Sequence, residues 1–314
     1  MSDKIILSYG EVLWDLLPSG DVLGGAPFNF AYRIHSLNHQ SFMISRVGRD
    51  SYGERINEKF LQLGMDRRFL QWDDSYPTGT VQIQLDANQQ PDYFIVPHVA
   101  YDRIEGSEEI LEWARKADCI CFGTLAQRTP PARQTIRHIL ENAPQALKLL
   151  DINLRKACYT PEIILESLQK ADVLKLNETE ALYLGELFSL PRDLSEFCQV
   201  LTKQYALSHC IVTLGERGVL AYSSSGETVY VPGYSIRLVD PCGSGDAFTA
   251  GFVDRYFHGK SLIECCQFGN ALGALVATQS GATAPISREE IHALLESPHS
   301  LTEDRSLQKF RKIP

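Results

Sequence analysis

The sequence predicts an α/β fold with a mostly parallel central sheet, because short apolar runs alternate with helical runs from about residue 117 onward. Strand-like runs that alternate with helical segments of about 10–15 residues are typical of βαβ units and a parallel sheet. A second observation is that the stretch near residue 80 does not follow this alternation of strands and helices. Its own pattern predicts a separate small sheet. Ligands of parallel sheets bind beyond the carboxyl ends of the strands.

The elements of the large sheet can be followed in order along the chain. Strands are predicted at 119–123, 147–151, 173–176 and 210–214, and helices at 131–142, 161–171, 178–185 and 194–205. Polar residues end three of the predicted strands, namely Asp151, Asn177 and Thr213. Because parallel strands end at one edge of a sheet, we expect these three side chains to lie near a ligand.

Residues 80–96 carry the pattern of a β-hairpin. Apolar and polar residues alternate over 81–86, a polar turn covers 87–90, and residues 93–96 are apolar. Together with a turn-rich stretch near the N-terminus, they predict a small sheet, with strands drawn from about 12–23 and 80–98, that covers one end of the large domain as a lid. The alternative is that these strands extend the main sheet.

Composition and charge exclude several classes of protein. The chain has 314 residues, is 44% hydrophobic and 22% charged, and has a net charge of −9. It therefore contains enough apolar material for a core, and it lacks the basic surplus of a nucleic-acid-binding protein. Its length permits one domain or two. We expect a single domain over 1–314, in which the polar residues 298–314 form a peripheral tail.

The chain is expected to be cytoplasmic. No apolar run approaches the ~18 residues of a membrane span, and the first apolar run is too short for a signal peptide. The eight cysteines are therefore expected to be reduced thiols. Cys119 and Cys121 alternate along an apolar strand, which favours two buried thiols over a metal-binding pair.

The most informative segment is residues 240–251, where two carboxylates flank a Gly-Ser-Gly turn and a run of small residues follows. Such a turn directs backbone N–H groups at an anion, and Asp246 falls in the first helical turn, where the helix dipole favours the ionised carboxylate. Transfer of a phosphoryl group to a hydroxyl requires such a base together with donors for the phosphoryl charge. The alternative is that Asp246 only caps a helix.

Residues 240–251 resemble the C-terminal signature of the ribokinase-like (pfkB) sugar kinases. Residues 24–31 and 48–53 resemble the N-terminal signature of the same family, and the resemblance extends over about 4–296. Within the family, the pattern around Gly10, Glu11 and Asp15 looks most like the fructokinases. The resemblance implies a ribokinase-like three-layer sandwich with a small β-sheet lid, ATP and Mg²⁺ as cofactors, and a homodimer formed through the lid.

The resemblance also assigns roles to individual residues. It implies that Asp246 is the general base and that Gly243, Ser244 and Gly245 supply the anion hole. Positions that match the family's sugar-binding residues are Asp15, Gly25, Asn29 and Arg155. Positions that match its nucleotide-binding residues are Asn177, Thr213, Gly215, Gly218 and Asn270. Glu180 and Asn177 would organise Mg²⁺ through water molecules.

Many relatives also hold a potassium ion beside the anion hole, and here Asp240, Cys242 and Gly281 fall at the matching positions. Pro241 stands where the family more commonly has Thr, so the resemblance leaves potassium dependence open. The side chain of Asp240 is interpreted either as an ion ligand or as a structural anchor.

The predicted function is that of an ATP-dependent sugar kinase, with fructose converted to fructose 6-phosphate as the first choice. A 2-keto-3-deoxygluconate kinase, or another pfkB sugar kinase, is the alternative within the family, and its acidic substrate would need a cation such as Arg155 or Arg103. A sugar- or nucleotide-binding regulator that has lost transfer is disfavoured, because the complete catalytic set is present. The expected partners are a small sugar and ATP, with neither nucleic acid nor membrane.

Overall fold

The computed structural model describes residues 3–18, 20–85, 91–296 and 300–311. The strands are β1 (Ile5–Tyr9), β2 (Leu13–Leu17), β3 (Gly20–Gly24), β4 (Gln40–Gly48), β5 (Leu70–Asp73), β6 (Thr80–Leu85), β7 (Pro91–Ile95), β8 (Cys119–Phe122), β9 (Leu147–Asp151), β10 (Val173–Asn177), β11 (His209–Thr213), β12 (Val219–Ser223), β13 (Thr228–Val231), β14 (Gly233–Tyr234) and β15 (Leu301–Thr302). The helices are α1 (Ala26–Ser36), α2 (Ser51–Gln62), α3 (Glu108–Lys116), α4 (Pro130–Glu141), α5 (Pro161–Lys170), α6 (Glu178–Phe188), α7 (Leu194–Tyr205), α8 (Ser244–Phe257), α9 (Leu262–Ala277) and α10 (Arg288–Glu296).

The central sheet has nine strands in the order β13-β12-β11-β10-β9-β8-β1-β4-β5. The strands from β11 to β5 pair in parallel, and β12 and β13 add an antiparallel hairpin at one edge. The predicted mostly parallel sheet is confirmed, and each predicted strand and helix has an observed counterpart. Helix α6 runs three residues beyond its predicted end at Gly185.

A separate small sheet has the strand order β3-β2-β6-β7. Strands β6 and β7 form the predicted hairpin, with Val81 opposite Ile95. The predicted turn at 87–90 lies outside the described residues. The alternative, that these strands extend the main sheet, is wrong because β6 pairs with β2 and β7 and with no described strand of the central sheet.

Helices cover both faces of the central sheet. One core joins the sheet to α3–α7 and the other joins it to α1 and α8–α10. Successive strand residues point to opposite faces, so that Leu150 belongs to the first core and Leu149 to the second. Cys119 and Cys121 are buried in the second core, and all eight cysteines are unpaired. The prediction that Cys119 and Cys121 are two buried thiols is confirmed. Within the described residues, no helix has the length and apolar character needed to cross a membrane.

A buried ion-pair cluster around Asp254 fixes the end of α8 to its neighbours. The carboxylate is fully buried and lies 2.7 Å from Nη2 of Arg288 at the start of α10 and 2.7 Å from Nε of Arg255. It also lies 3.1 Å from Nε2 of His39, in the loop before β4. Burial opposes ionisation, but these partners outweigh it and hold the pKa of Asp254 well below its ordinary value. The cluster therefore joins α8, α10 and the loop before β4.

We expect Asp254→Asn to lower the free energy of unfolding by about 3 kcal/mol, because it leaves the half-buried guanidinium groups of Arg255 and Arg288 without a countercharge. The measurement is urea denaturation at pH 7, with Asp74→Asn as the exposed ion-pair control, for which a change of less than about 1 kcal/mol is expected. Because the folded pKa of Asp254 is depressed, its contribution is present at neutral pH and lost below about pH 4. A difference from wild type of less than about 1 kcal/mol at pH 7 would contradict this role.

Candidate active site

Helix α8 begins at the turn predicted to bind an anion. Gly243 precedes its first residue and has φ = 75°, a left-handed conformation that favours glycine. A Cβ atom at this position would lie 2.3 Å from Cβ of Ala282, which leaves no room for a side chain. The Oγ atom of Ser244 donates a hydrogen bond to the carbonyl oxygen of Pro241, at 2.8 Å. The first amide groups of a helix have no partner within it, so Gly243 and Gly245 lie where backbone donors can meet an anion. The amide of Ser244, predicted as a third donor, instead donates to the carbonyl oxygen of Pro241 at 3.2 Å.

Asp246 lies in the first turn of α8 and contacts Asn29 of α1. Nδ2 of Asn29 donates a hydrogen bond to Oδ2 of Asp246 at 2.8 Å, and both side chains are buried. Among the described residues, Oδ1 of Asn29 is buried without a hydrogen-bond partner. Since buried polar atoms nearly always have partners, this oxygen is suited to accept a hydrogen bond from a ligand hydroxyl beside the carboxylate.

Burial, together with the nearby Asp151 carboxylate, raises the pKa of Asp246 to about 6 against the opposing effects of Lys175 and Asn29. The sequence argument expected the helix dipole to favour the ionised form, but desolvation of the carboxylate is the larger effect. At pH 7 the carboxylate is still mostly ionised. A pKa near the working pH is the property that a general base needs.

A buried polar network lies directly beneath the first turn of α8. Nζ of Lys175 on β10 lies 3.0 Å from Oδ1 of Asp151 on β9, and Oγ1 of Thr249 donates to Oδ2 of Asp151 at 2.9 Å. A Cβ atom at Gly245 would lie 3.1 Å from Nζ of Lys175. Lys175 and Thr249 were not predicted from the sequence. The available signal was a lysine inside a strand whose neighbours are all apolar, because lysine is rarely buried without a partner.

Among the predicted sugar-binding residues, Gly25 contacts Asn29 directly, because its carbonyl oxygen accepts a hydrogen bond from the amide of Asn29 at 2.9 Å. Gly25 caps the N-terminus of α1, and Asp15 lies on β2 of the small sheet. Burial raises the pKa of Asp15, and the charge of Arg155 opposes that rise. Glu11 is buried after β1, and burial raises its pKa to about 7. Arg155 is exposed and also lowers the pKa of Asp246, so its charge acts on the same region.

Asn177 and Glu180, the predicted Mg²⁺ residues, form a capping box at the start of α6. Oδ1 of Asn177 accepts a hydrogen bond from the amide of Glu180 at 2.9 Å, and Oε2 of Glu180 accepts one from the amide of Asn177 at 2.8 Å. Oε1 of Glu180 accepts a further bond from the amide of Leu154 at 2.8 Å. These contacts hold both side chains in place and leave the carboxylate oxygens with further lone pairs.

The predicted nucleotide-binding residues lie at the neighbouring strand ends. Thr213 is the register partner of Asn177 at the ends of β11 and β10. The loop that follows contains Gly215 and Gly218, which have φ values of 60° and 93°. Nδ2 of Asn270 on α9 donates to the carbonyl oxygen of Pro232 at 2.6 Å, beside the same loop.

Asp240 connects the turn before α8 to the chain after α9. Oδ1 accepts a hydrogen bond from the amide of Cys242 at 2.9 Å, and Oδ2 accepts one from the amide of Gly281 at 3.0 Å. These two hydrogen bonds favour the interpretation of Asp240 as a structural anchor. They also bring Cys242 and Gly281, whose carbonyl groups were predicted to bind potassium, to the same carboxylate. Nothing in the structure explains why Pro241 is needed here.

Comparisons with known proteins show which family and which fold this chain resembles. The model of the pfkB family carbohydrate kinases matches residues 20–289. A fructokinase of Escherichia coli is 28% identical over 312 residues, which cover 93% of this chain and 99% of that protein. A fructokinase from Xylella fastidiosa with bound ATP has a TM-score of 0.82 and 19% identity, over 94% of this chain and 99% of that one. A fructokinase double mutant from Vibrio cholerae O395, in a form with bound fructose, ADP and potassium ion, has a TM-score of 0.79 and 22% identity, over 94% of this chain and all of that one.

The two solved structures show the fold, and the family model shows the ancestry. The predicted resemblance and the predicted ribokinase-like architecture are therefore both confirmed. The chain belongs to the pfkB family of carbohydrate kinases, and it is a phosphotransferase that acts on an alcohol group.

Proposed function

We propose that this kinase phosphorylates fructose on its 6-hydroxyl group, with Asp246 as the general base. The observation that carries the proposal is the buried hydrogen bond between Asn29 and Asp246, in which Oδ1 of Asn29 has no partner among the described residues. A sugar hydroxyl that donates to this oxygen would be positioned beside the carboxylate. The names of the fructokinase relatives support fructose as the sugar.

The mechanism follows from the position of Asp246 at the N-terminus of α8. Its carboxylate accepts the proton of the hydroxyl as that oxygen attacks the γ-phosphate of ATP. The amide groups of Gly243 and Gly245 then stabilise the charge of the transferring phosphoryl group, while Ser244 holds the turn through its hydrogen bonds to Pro241. Asp15, Gly25 and Asn29 hold the sugar so that the hydroxyl is aligned, and closure of the small sheet as a lid over the site excludes water.

The nucleotide is proposed to bind along the ends of β10 and β11, with Thr213, Gly215 and Gly218 on its phosphates. Asn177 and Asn270 complete this site, Asn270 on the side of the base. Arg155 is proposed to contact the sugar or the phosphoryl group.

The donor set beside the nucleotide site fits Mg²⁺ held through water molecules. Both carboxylate oxygens of Glu180 already accept backbone hydrogen bonds, and Mg²⁺ keeps several of its own waters. When bound, Mg²⁺ would neutralise charge on the phosphates. Asp240 with the carbonyl groups of Cys242 and Gly281 offers hard oxygen ligands to potassium.

We further propose that the kinase works in the cytoplasm as a homodimer formed through the small sheet. Strands β3 and β7 are the edges of that sheet, and an exposed sheet edge is suited to cover by a second copy. Light scattering of the purified protein tests the dimer, and a monomer at assay concentration would contradict it.

The alternative within the family is 2-keto-3-deoxygluconate, whose carboxylate would need a cation. Arg155 is exposed, and its charge lowers the pKa values of Asp15 and Asp246, which supports it as the cation for such a substrate. Nη2 of Arg103 instead donates to the hydroxyl of Tyr76 at 2.8 Å, which makes it a weaker choice. A silent regulator remains disfavoured because the residues expected of the catalytic set, Asp246, Gly243, Gly245, Asn177 and Glu180, are all present in the sequence.

The experiment is an ADP-release assay with saturating MgATP and four candidate substrates: fructose, ribose, glucose and 2-keto-3-deoxygluconate. We expect kcat/KM for fructose to exceed that for each other sugar by at least about tenfold, because a site built to bind particular hydroxyls leaves its polar groups unpaired with the wrong sugar. A preference for 2-keto-3-deoxygluconate would favour the alternative. No turnover with any sugar, by protein that binds ATP, would favour the regulator.

A further inference from the structure

The segment 300–311 packs against the nucleotide end of the molecule. Strand β15 within it pairs with β14, with Gly233 opposite Thr302, and the amide of Ser235 donates to the carbonyl oxygen of Ser300 at 2.9 Å. The side chain of Leu307 is buried in the first core. The segment is thus built into the fold beside the predicted nucleotide loop, although its sequence is polar.

One side chain of this segment, Asp304, is ion-paired to the loop predicted to bind nucleotide. The guanidinium of Arg217 donates to the carboxylate of Asp304 and, on its other side, to the carboxylate of Glu178. The hydroxyl of Tyr230 donates to the carbonyl oxygen of Arg217 at 2.7 Å and accepts a hydrogen bond from the amide of Asp304 at 2.6 Å. Arg217 is therefore held through both its side chain and its main chain.

Arg217 belongs to the predicted nucleotide loop and contacts both the start of α6 and the segment 300–311. It lies between Gly215 and Gly218, and a Cβ atom at Gly218 would lie only 2.0 Å from the carbonyl oxygen of Val231. The loop is thus pressed directly against the chain that leads to β14. Glu178 is the first residue of α6, immediately after Asn177. Through Arg217, Asp304 is coupled both to the nucleotide loop and to the capping box at the start of α6.

We propose that Asp304 is a positioning residue for the nucleotide: its carboxylate holds Arg217, and Arg217 holds the loop 215–218 in the conformation that binds ATP phosphates. The inference rests on the nucleotide roles proposed above for Gly215 and Gly218. Within the part of the chain that the structure describes, the hydrogen bonds and ion pairs of Asp304 involve none of the proposed sugar-binding residues, so its effect falls on ATP and not on the sugar.

The test compares two substitutions at Asp304 with a matched substitution at Glu303. Asp304→Asn removes the charge but keeps a side chain that can cap the following turn, where Oδ1 of Asp304 accepts from the amide of Ser306. Asp304→Lys places a cation against Arg217. Glu303→Lys makes a charge reversal on the same segment, at a residue whose carboxylate pairs with Arg311. Melting temperatures establish that each variant is folded.

We expect the dissociation constant for MgATP, measured by isothermal titration calorimetry without sugar, to rise about threefold in Asp304→Asn and at least about tenfold in Asp304→Lys. The KM for fructose is expected to stay within a factor of about two, and Glu303→Lys is expected to behave as wild type. The rise in the dissociation constant for MgATP caused by Asp304→Asn should become smaller as salt is added, since salt screens the wild-type ion pair.

Equal ATP affinity in wild type and Asp304→Lys would overturn the proposal, as would an equal loss in Glu303→Lys or a parallel rise in the KM for fructose. If the wild-type protein binds no ATP, the proposed nucleotide site at Gly215 and Gly218 is wrong, and the role proposed for Asp304 fails with it. The two failures are therefore distinguishable in one titration series.

Discussion

Replacement of Asp246 by Asn is expected to reduce phosphoryl transfer by about 10³-fold while the protein binds MgATP as wild type does. The amide keeps the shape of the side chain but cannot accept the hydroxyl proton, and general-base catalysis contributes roughly 10²–10⁴-fold to a rate. The measurement is kcat in the ADP-release assay, together with titration of MgATP. Asp193→Asn, which retains an N-cap at another helix start, is the control and should be fully active.

The same carboxylate predicts the pH dependence of the wild-type enzyme. Because burial raises the pKa of Asp246 to about 6, kcat/KM is expected to fall about tenfold per pH unit below pH 6 and to level off above pH 7.

Turnover by Asp246→Asn within a factor of about ten of wild type would remove Asp246 from the role of base.

Replacement of Lys175 by Met is expected to have the second large effect. The ammonium group is buried between Asp151 and the first turn of α8, and it opposes the rise in the pKa of Asp246. Without it, two buried carboxylates, Asp151 and Asp246, face each other with less positive charge nearby. We expect the acidic limb of kcat/KM to move up by about one pH unit, with a loss of about twofold at pH 7 that grows to about tenfold at pH 5.

The variant is also expected to lose about 3 kcal/mol of unfolding free energy, because Asp151 is left buried without its cation. Lys170→Met, which removes an exposed lysine paired with Glu141, is the matched control and should change neither the profile nor the stability appreciably. A double variant, Lys175→Met with Asp151→Asn, should recover part of the pH shift. An unshifted acidic limb in folded Lys175→Met would show that Lys175 only supports the fold.

Much of the fold follows from local patterns that the sequence displays directly. The alternation of apolar runs and helical runs after residue 117 led to the parallel sheet, and the period-two pattern near residue 81 led to the hairpin β6–β7. These patterns are readable because each strand and helix carries its own periodicity. Strands β1, β4, β5 and β12–β15 were not predicted, because the pairing that defines such strands depends on contacts between distant segments.

The candidate site was predicted unevenly for a related reason. Asp246 and the glycines around it are contiguous, so their chemistry is visible in one segment. The contact between Asn29 and Asp246 joins residues 217 positions apart, and the pair of Arg217 with Asp304 joins residues 87 positions apart. Only the folded chain brings them together. The raised pKa of Asp246 was also out of reach, because it depends on burial and not on the helix dipole alone.

The most direct test of the account is identification of the product formed from fructose and ATP. Wild-type enzyme is incubated with both substrates and MgCl₂, and phosphorus and carbon NMR spectra follow the reaction. We predict one fructose 6-phosphate for each ADP formed, and no product from Asp246→Asn on the same timescale. ADP release without a sugar phosphate, or a phosphate on another hydroxyl of fructose, would contradict the proposed placement of the 6-hydroxyl beside Asp246.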